Sequence, residues 1–214
     1  MISLFEKYDL RKGINFLATR YPQITRLECQ YGEPDLHPGS KDIFSSLIRS
    51  IISQQISTKA ASSIYNKFRN LYSTSIVSPE AVLATTNRRL KSAGLSNQKV
   101  GYVKSTAQFF VSTDYTYDDF DSMEDTKLKE ELIRIKGIGP WTIDMLLIFS
   151  LGRPDVFPVG DLGIRNGFNI FFNKKYSQEE MIKEASKWKP YRTIFSWYLW
   201  KVSDGSWNRD KEYL

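Results

Sequence analysis

The chain has 214 residues, is 41% hydrophobic and 14% aromatic, and carries a formal net charge of +6. That suffices for one large domain or two small lobes with a packed core, and it excludes a disordered chain. One cysteine, Cys29, and one histidine, His37, exclude an internal disulfide and a four-cysteine iron–sulfur cluster, and they argue against a zinc site. Cys-His catalysis is open by count alone, but nothing around Cys29 supports it. No signal-peptide pattern opens the sequence. The apolar run Met145–Leu151 is far too short to span a bilayer. A soluble, intracellular protein without membrane contact is expected.

Leu4–Tyr21 reads as a helix with Leu10, Ile14 and Leu17 on one face, ended by Pro22. Tyr31–Ser40 holds Gly32, Pro34, Pro38 and Gly39, a loop and a lobe boundary. Lys41–Gln55 is a helix with Ile43, Phe44, Leu47, Ile48, Ile51 and Ile52 at helical spacing. It ends in Ser53-Gln54-Gln55-Ile56-Ser57, and a second helix follows with Ala60, Ala61, Ile64, Phe68 and Leu71 inward. An amide side chain both donates and accepts, so Gln54 and Gln55 could bond base edges or fill a hole in a base stack. A polar helix end is the plainer reading.

Pro79–Thr85 and Asn87–Ala93 read as short helices. Gly94 suits a C′ position, and Ser96 the N-cap of a helix running to about Val111. Arg88, Arg89, Lys91, Lys99 and Lys104 lie in a stretch without acids, either a surface for a nucleic-acid backbone or solvated helix faces. Asp114–Asp125 reads as an acidic loop with six acids and no base. Setting its −6 aside leaves +12 for the rest of the chain. A basic body with one acidic loop fits nucleic-acid binding; surplus lysine on an ordinary soluble protein is the plainer alternative.

Asp125–Ile135 is the next helix, and it feeds Leu132–Asp144, the stretch around which the chain is organised. Gly137 and Gly139 break the helical pattern, and Pro140 restarts it, proline being suited to the first helical position. Glycines let a backbone approach an anion closely, and a helix start offers N–H groups and a positive dipole end. Such a hairpin holds phosphate without reading a base, which suits a protein that docks anywhere on a duplex. An ordinary helical corner capped by glycines remains the alternative.

Arg153–Arg165 has two prolines and two glycines around Asp161, which stands in otherwise apolar company. Asp161 reads as the N-cap of a helix starting at Leu162, or as a catalytic carboxylate, or as both. Ser177–Trp188 starts with a capping box, Ser177 to Glu180. Pro190–Lys201 is the last helix, and its Tyr191, Phe195, Trp197, Tyr198 and Trp200 exceed the aromatic need of one helix face. Strand patterns are nearly absent, so the chain is expected to be all-α.

Taken together, these segments resemble the helix-hairpin-helix DNA glycosylase superfamily, and within it the alkylpurine glycosylases of the 3-methyladenine DNA glycosylase II type. The matching motifs, in order, are Ile52–Ser57, Ala93–Ser96 with Lys99 and Tyr102, Lys136–Thr142, Phe157–Gly163 and Trp188–Arg192. The similarity runs from about Ile43 to the C-terminus. It implies two helical lobes flanking a DNA-binding cleft, a central lobe of about 41–152 and a second lobe from 1–40 and 153–214, all one glycosylase domain. The compact form is implied, since the β-rich N-terminal lobe of some bacterial members is missing.

By the same resemblance Asp161 falls at the catalytic aspartate. Trp141, Trp200 and Tyr191 fall at aromatic positions of the base pocket. Gln54, Gln55, Ser57, Gly137, Ile138, Gly139 and Thr142 fall at DNA-binding positions, with Gln55 as the wedge and Ser57 near the minor groove. The backbone carbonyls of Ile133, Ile135 and Ile138 match positions that hold a monovalent cation, Na+ or K+, beside a DNA phosphate. No other cofactor and no iron–sulfur cluster is implied. Gly160 stands where some relatives carry an acid, which leaves the carboxylate role to Asp161 alone. Members that also nick the strand place a lysine just before Thr142; here that position is Trp141, which implies a monofunctional enzyme.

The expected reaction is therefore release of alkylated purines, of the 3-methyladenine and 7-methylguanine type, from duplex DNA by base flipping and hydrolysis of the N-glycosidic bond. The expected partner is double-stranded DNA with damaged bases, met by a monomer, in the nucleus of a eukaryote or the nucleoid of a prokaryote. The alternative is a non-catalytic helix-hairpin-helix module that binds damaged or distorted DNA. Asp161 argues against it, because a carboxylate facing DNA only repels phosphate unless it does chemistry.

Overall fold

In the computed structural model the described residues are 9–36, 41–73, 76–205 and 207, and among them there are helices and no strands. They form two compact units. One comprises Ser40–Leu146, the other Met1–Gly39 with Leu147–Leu214. The second boundary thus falls at Leu147, ahead of the position near Gly152 that the sequence predicts. No helix among the described residues is long and apolar enough to cross a membrane.

In the Ser40–Leu146 unit, α3 (Ile43–Ser53) is N-capped by Asp42, whose carboxylate accepts from the Ser45 N–H at 2.9 Å. All six of its predicted inward residues are buried, each contributing roughly 1.5–3 kcal/mol by leaving water. Then come α4 (Thr58–Arg69), α5 (Pro79–Ala84), α6 (Asn87–Ser92) and α7 (Asn97–Thr113). The long α7 packs against α3, α5 and α6. Ser96 caps it as expected, accepting from the Lys99 N–H at 3.2 Å. Of the five predicted inward residues, four on α4 and Leu71 just past its end, only Ala61 and Phe68 are buried. Ala60 is exposed, and Ile64 and Leu71 are half-buried.

The stretch expected as an acidic loop is not a loop. It holds α8 (Tyr117–Ser122), started by a reciprocal capping box between Thr116 and Asp119 and anchored by the fully buried Phe120. Acids in a first turn favour a helix through its dipole, so the charge run that suggested a loop helps build a helix. Bonds from the Thr116 hydroxyl and N–H hold the Asp119 carboxyl below the ordinary carboxylate range. Next come α9 (Asp125–Leu132) and α10 (Pro140–Phe149).

In the other unit, α1 (Leu10–Arg20) buries Leu10, Ile14 and Leu17 and is capped by Asp9. Residues 4–8 of the expected first helix lie outside the described residues, as do His37 and the 37–40 end of the expected loop. A helix the sequence reading missed, α2 (Gln23–Tyr31), follows at once, with Pro22 in its N-cap position. Pro22 thus ends one helix and leads into the next.

The unit is completed by α11 (Leu162–Phe172), α12 (Gln178–Ala185) with the expected Ser177–Glu180 capping box, a 3₁₀ turn at Ser186–Trp188, and α13 (Arg192–Ser203). α11 and α13 pack so closely that a Cβ at Gly167 would lie 1.9 Å from the Leu199 carbonyl oxygen. The aromatic surplus is largely core here. Trp188, Phe195 and Tyr198 are fully buried, Trp197 nearly so, and the Trp188 and Phe195 ring centroids lie 3.9 Å apart. The Tyr21 phenol, donating to Glu184, is pushed up to about 12, mainly by burial.

Candidate functional site

Asp161 is the N-cap of α11 and more. Its Oδ1 accepts from the Ile164 N–H at 3.0 Å and from the Trp200 indole N–H at 2.9 Å. Half-buried Trp200 sits over the helix start, its ring centroid 5.7 Å from that of Phe149. Gly163 makes the arrangement fit, because a Cβ there would lie 3.0 Å from Trp200 Cδ1 and 3.1 Å from Asp161 Oδ1.

The approach to Asp161 is clamped. Arg165 donates to the carbonyls of Val159 and Gly160 at 3.2 and 2.8 Å. Arg192 grips both carboxylate oxygens of Asp155 at 2.7 and 2.9 Å. The buried Thr193 hydroxyl donates to the Arg153 carbonyl and accepts from the Val156 N–H. Tyr191 is turned to α1. Its ring is 5.3 Å from that of Phe16, and a Cβ at Gly13 would fall 2.8 Å from Tyr191 Cδ1.

The hairpin lies in the Ser40–Leu146 unit. After α9 the chain tightens: the Ile135 N–H donates to the Leu132 carbonyl at 3.1 Å, and the Ile138 N–H to the Ile135 carbonyl at 3.0 Å. Gly137 has φ +95°, and a Cβ there would lie 2.2 Å from the Tyr102 ring, so conformation and space both demand glycine. Around Gly139, in contrast, a Cβ would meet nothing within 4 Å. That bare backbone is where an anion can come close. Trp141 is exposed in the first turn of α10, whereas Thr142 is buried. Of the expected cation carbonyls, Ile138 and Ile135 belong to buried residues and Ile133 to one 47% exposed. Carbonyl oxygens are hard donors that suit Na+ or K+, and the Ile135 oxygen already accepts the Ile138 N–H.

The glutamine bend is tied to the hairpin. The Gln54 side-chain Nε2 donates to the Gly137 carbonyl at 3.0 Å and lies 3.5 Å from the Thr142 hydroxyl. Gln55 is exposed with φ 59°. Ser57 is the N-cap of α4, accepting from the Ala60 N–H at 3.3 Å. Three of the five expected backbone-contacting cations are engaged internally. Lys99 Nζ donates to the Ile52 and Gln54 carbonyls, Lys104 Nζ to those of Leu83 and Thr85, and Arg89 to that of Leu71. Burial pushes both lysines below the ordinary lysine value. Their run without acids looked like a surface because sequence cannot tell an exposed cation from one capping helix C-terminal carbonyls. Arg88 and Lys91 are exposed.

Residues 48–191 match the family model described as HhH-GPD superfamily base excision DNA repair protein. The chain belongs to this family. The matched span contains the glutamine bend, the hairpin and Asp161. The chain is 34% identical over 191 residues to DNA-3-methyladenine glycosylase 1 of Schizosaccharomyces pombe, covering 87% of this chain and 83% of that protein. Its fold superposes on the Schizosaccharomyces pombe 3-methyladenine DNA glycosylase in complex with abasic DNA with a TM-score of 0.82 at 33% identity, covering 91% of this chain and 98% of the other. A Bacillus halodurans DNA-3-methyladenine glycosidase gives 0.81 at 31%, with 90% and 89% covered. The HhH-GPD fold expected from the sequence is thus the fold observed.

Proposed function

We propose that this HhH-GPD protein is a monofunctional DNA glycosylase that releases alkylated purines, with Asp161 as its catalytic carboxylate. The observation that carries the reading is Asp161 itself. Its oxygen is held by a helix N–H and an indole N–H, in a chain whose relatives of about one-third identity are named 3-methyladenine glycosylases.

Docking uses the hairpin. A DNA phosphate approaches the bare backbone at Gly139 and the start of α10. A monovalent cation, if held by the Ile133, Ile135 and Ile138 carbonyls, would add positive charge beside that phosphate. Extrusion of the base costs a few kcal/mol, least for a damaged or mispaired base, and Gln55 fills the gap. The ring face of Trp200 attracts a cationic alkylated purine by roughly 0.5–2 kcal/mol.

In the chemical step the bond from C1′ to the purine nitrogen breaks, and its electron pair leaves with the base. Alkylation has made the base cationic, so it departs neutral and needs no general acid. The Asp161 carboxylate stabilises the positive charge developing on the sugar, orients a water toward C1′ and takes its proton. The products are free alkylpurine and an abasic strand. Trp141 offers no amine for a Schiff base, so the strand stays intact. Such an enzyme works wherever the DNA is, as a monomer on damaged duplex.

The test is base release from methylated duplex DNA by the wild type and by Asp161→Asn. Free methylpurine from the wild type alone, with the strand intact until alkali, is expected. Near wild-type release by Asp161→Asn would reduce Asp161 to a helix cap. A borohydride-trapped covalent adduct would overturn the monofunctional assignment.

A further inference from the structure

Gln55 sits in the left-handed region at φ 59° and is exposed. A non-glycine residue there is strained by about 1 kcal/mol or more, and such strain persists only where the surroundings enforce it. Glycine would relieve it, so the side chain, not the convenience of the backbone, accounts for a glutamine at the tip of this bend.

The enforcing groups are identifiable. Lys99 Nζ donates to the Ile52 carbonyl at 2.6 Å and the Gln54 carbonyl at 2.9 Å, straddling the end of α3. A cation on the last carbonyls of a helix is favoured by its dipole, and bonds from a charged donor are the stronger kind. The Gln54 side chain then fastens the same bend to the Gly137 carbonyl. Behind both runs α7, with Lys99, Tyr102 and Ser105 at three-residue spacing along one face. Lys99 holds the bend, the Tyr102 ring underlies Gly137, and the Ser105 hydroxyl accepts the Lys136 N–H at 3.2 Å. Gln98 steadies Tyr102 by donating to its hydroxyl at 2.6 Å.

We infer that Lys99 and Gln54 are positioning residues that fix Gln55 relative to the phosphate-binding hairpin, so that seating the hairpin on a phosphate delivers Gln55 into the space of an extruded base. The inference rests on the glycosylase reading above and extends it, because the Lys99 ammonium, engaged by the Ile52 and Gln54 carbonyls, acts through Gln55. Bond cleavage at Asp161 does not depend on it. Only the extrusion of a base from an intact stack does.

The experiment compares single-turnover release of one methylated purine from two duplexes, one with the lesion paired and one with it in an unpaired bulge. Lys99→Met keeps the aliphatic stem and removes the ammonium. It is expected to lose about 10-fold or more on the paired lesion and less than about 3-fold on the bulged one. Gln54→Leu should lose at least as much on the paired lesion, and Lys99→Arg should restore most of the loss, since a guanidinium can also span two carbonyls. Adding Lys99→Met to Gln55→Ala should cost little beyond Gln55→Ala alone, the signature of residues acting as one unit. Equal losses on both substrates, or a fully multiplicative double variant, would overturn the inference and leave Lys99 a structural cap. Thermal melting of each variant separates either result from loss of fold. Absence of release by the wild type from both duplexes would sink the glycosylase reading first, and this inference with it.

Discussion

The carboxylate region and the glutamine bend solve the same problem with different materials. Around Asp161 a side chain is held by two neutral donors on helices, an α11 N–H and the Trp200 indole, while Arg165, Arg192 and Thr193 clamp the loop that leads to it. At the bend a strained backbone is held by an ammonium on two carbonyls. The proposed chemistry needs one atom in one place, and the bonds of the first region orient an oxygen. The proposed entry into a base stack needs a side chain left exposed, and the bonds of the second region hold the backbone beneath it.

The comparison breaks most sharply at Asp161. Asp161→Asn keeps an N-cap, so melting should change little, while base release should fall by about 10²–10⁴-fold, the usual worth of a positioned proton acceptor. Similar losses in stability and release would mean that the carboxylate is structural. The hairpin comes next. Gly137→Ala forces a Cβ into the Tyr102 ring at positive φ and should cost about 2–4 kcal/mol on denaturation. Gly139→Ala, in open space, should stay within about 0.5 kcal/mol and instead weaken DNA binding. Trp200→Phe keeps an aromatic ring and removes the donor to Asp161. A bond to a charged acceptor is worth about 1.5–3 kcal/mol, so release should drop at least about 10-fold with binding largely retained. The smallest effects separate the cations. Arg88→Met should reduce the salt slope of DNA binding by about one, and Lys104→Met, which uncaps α5, should lower stability by about 1 kcal/mol and leave that slope alone. A slope change for Lys104 and none for Arg88 would reverse their roles.

Much of this was legible in the sequence because it is local. The Ser96 cap, the Ser177–Glu180 box, the proline start of α10 and Asp161 as a cap all declare themselves within four residues. What stayed hidden is long-range or context-dependent. Trp200 reaches Asp161 across 39 residues, and no spacing rule links them. Lys99 and Lys104 read as surface charge until α3 and α5 supply carbonyls for them. The acids of 114–125 read as a loop because their help to a helix depends on Phe120 finding a core. α2 went unseen because Pro22 signals an end more loudly than a beginning.

One consequence follows from α7. Its contacts to the bend, to the glycine turn and to the start of the hairpin are spaced along a single rigid rod, at about 1.5 Å of rise per residue. The segment between Lys99 and Ser105 therefore works as a ruler. One residue inserted within it would swing every later side chain by about 100° about the rod and uncouple the bend from the hairpin, however well each survived alone. Length changes in this protein belong in its connecting segments, and the gauge itself cannot be lengthened or shortened.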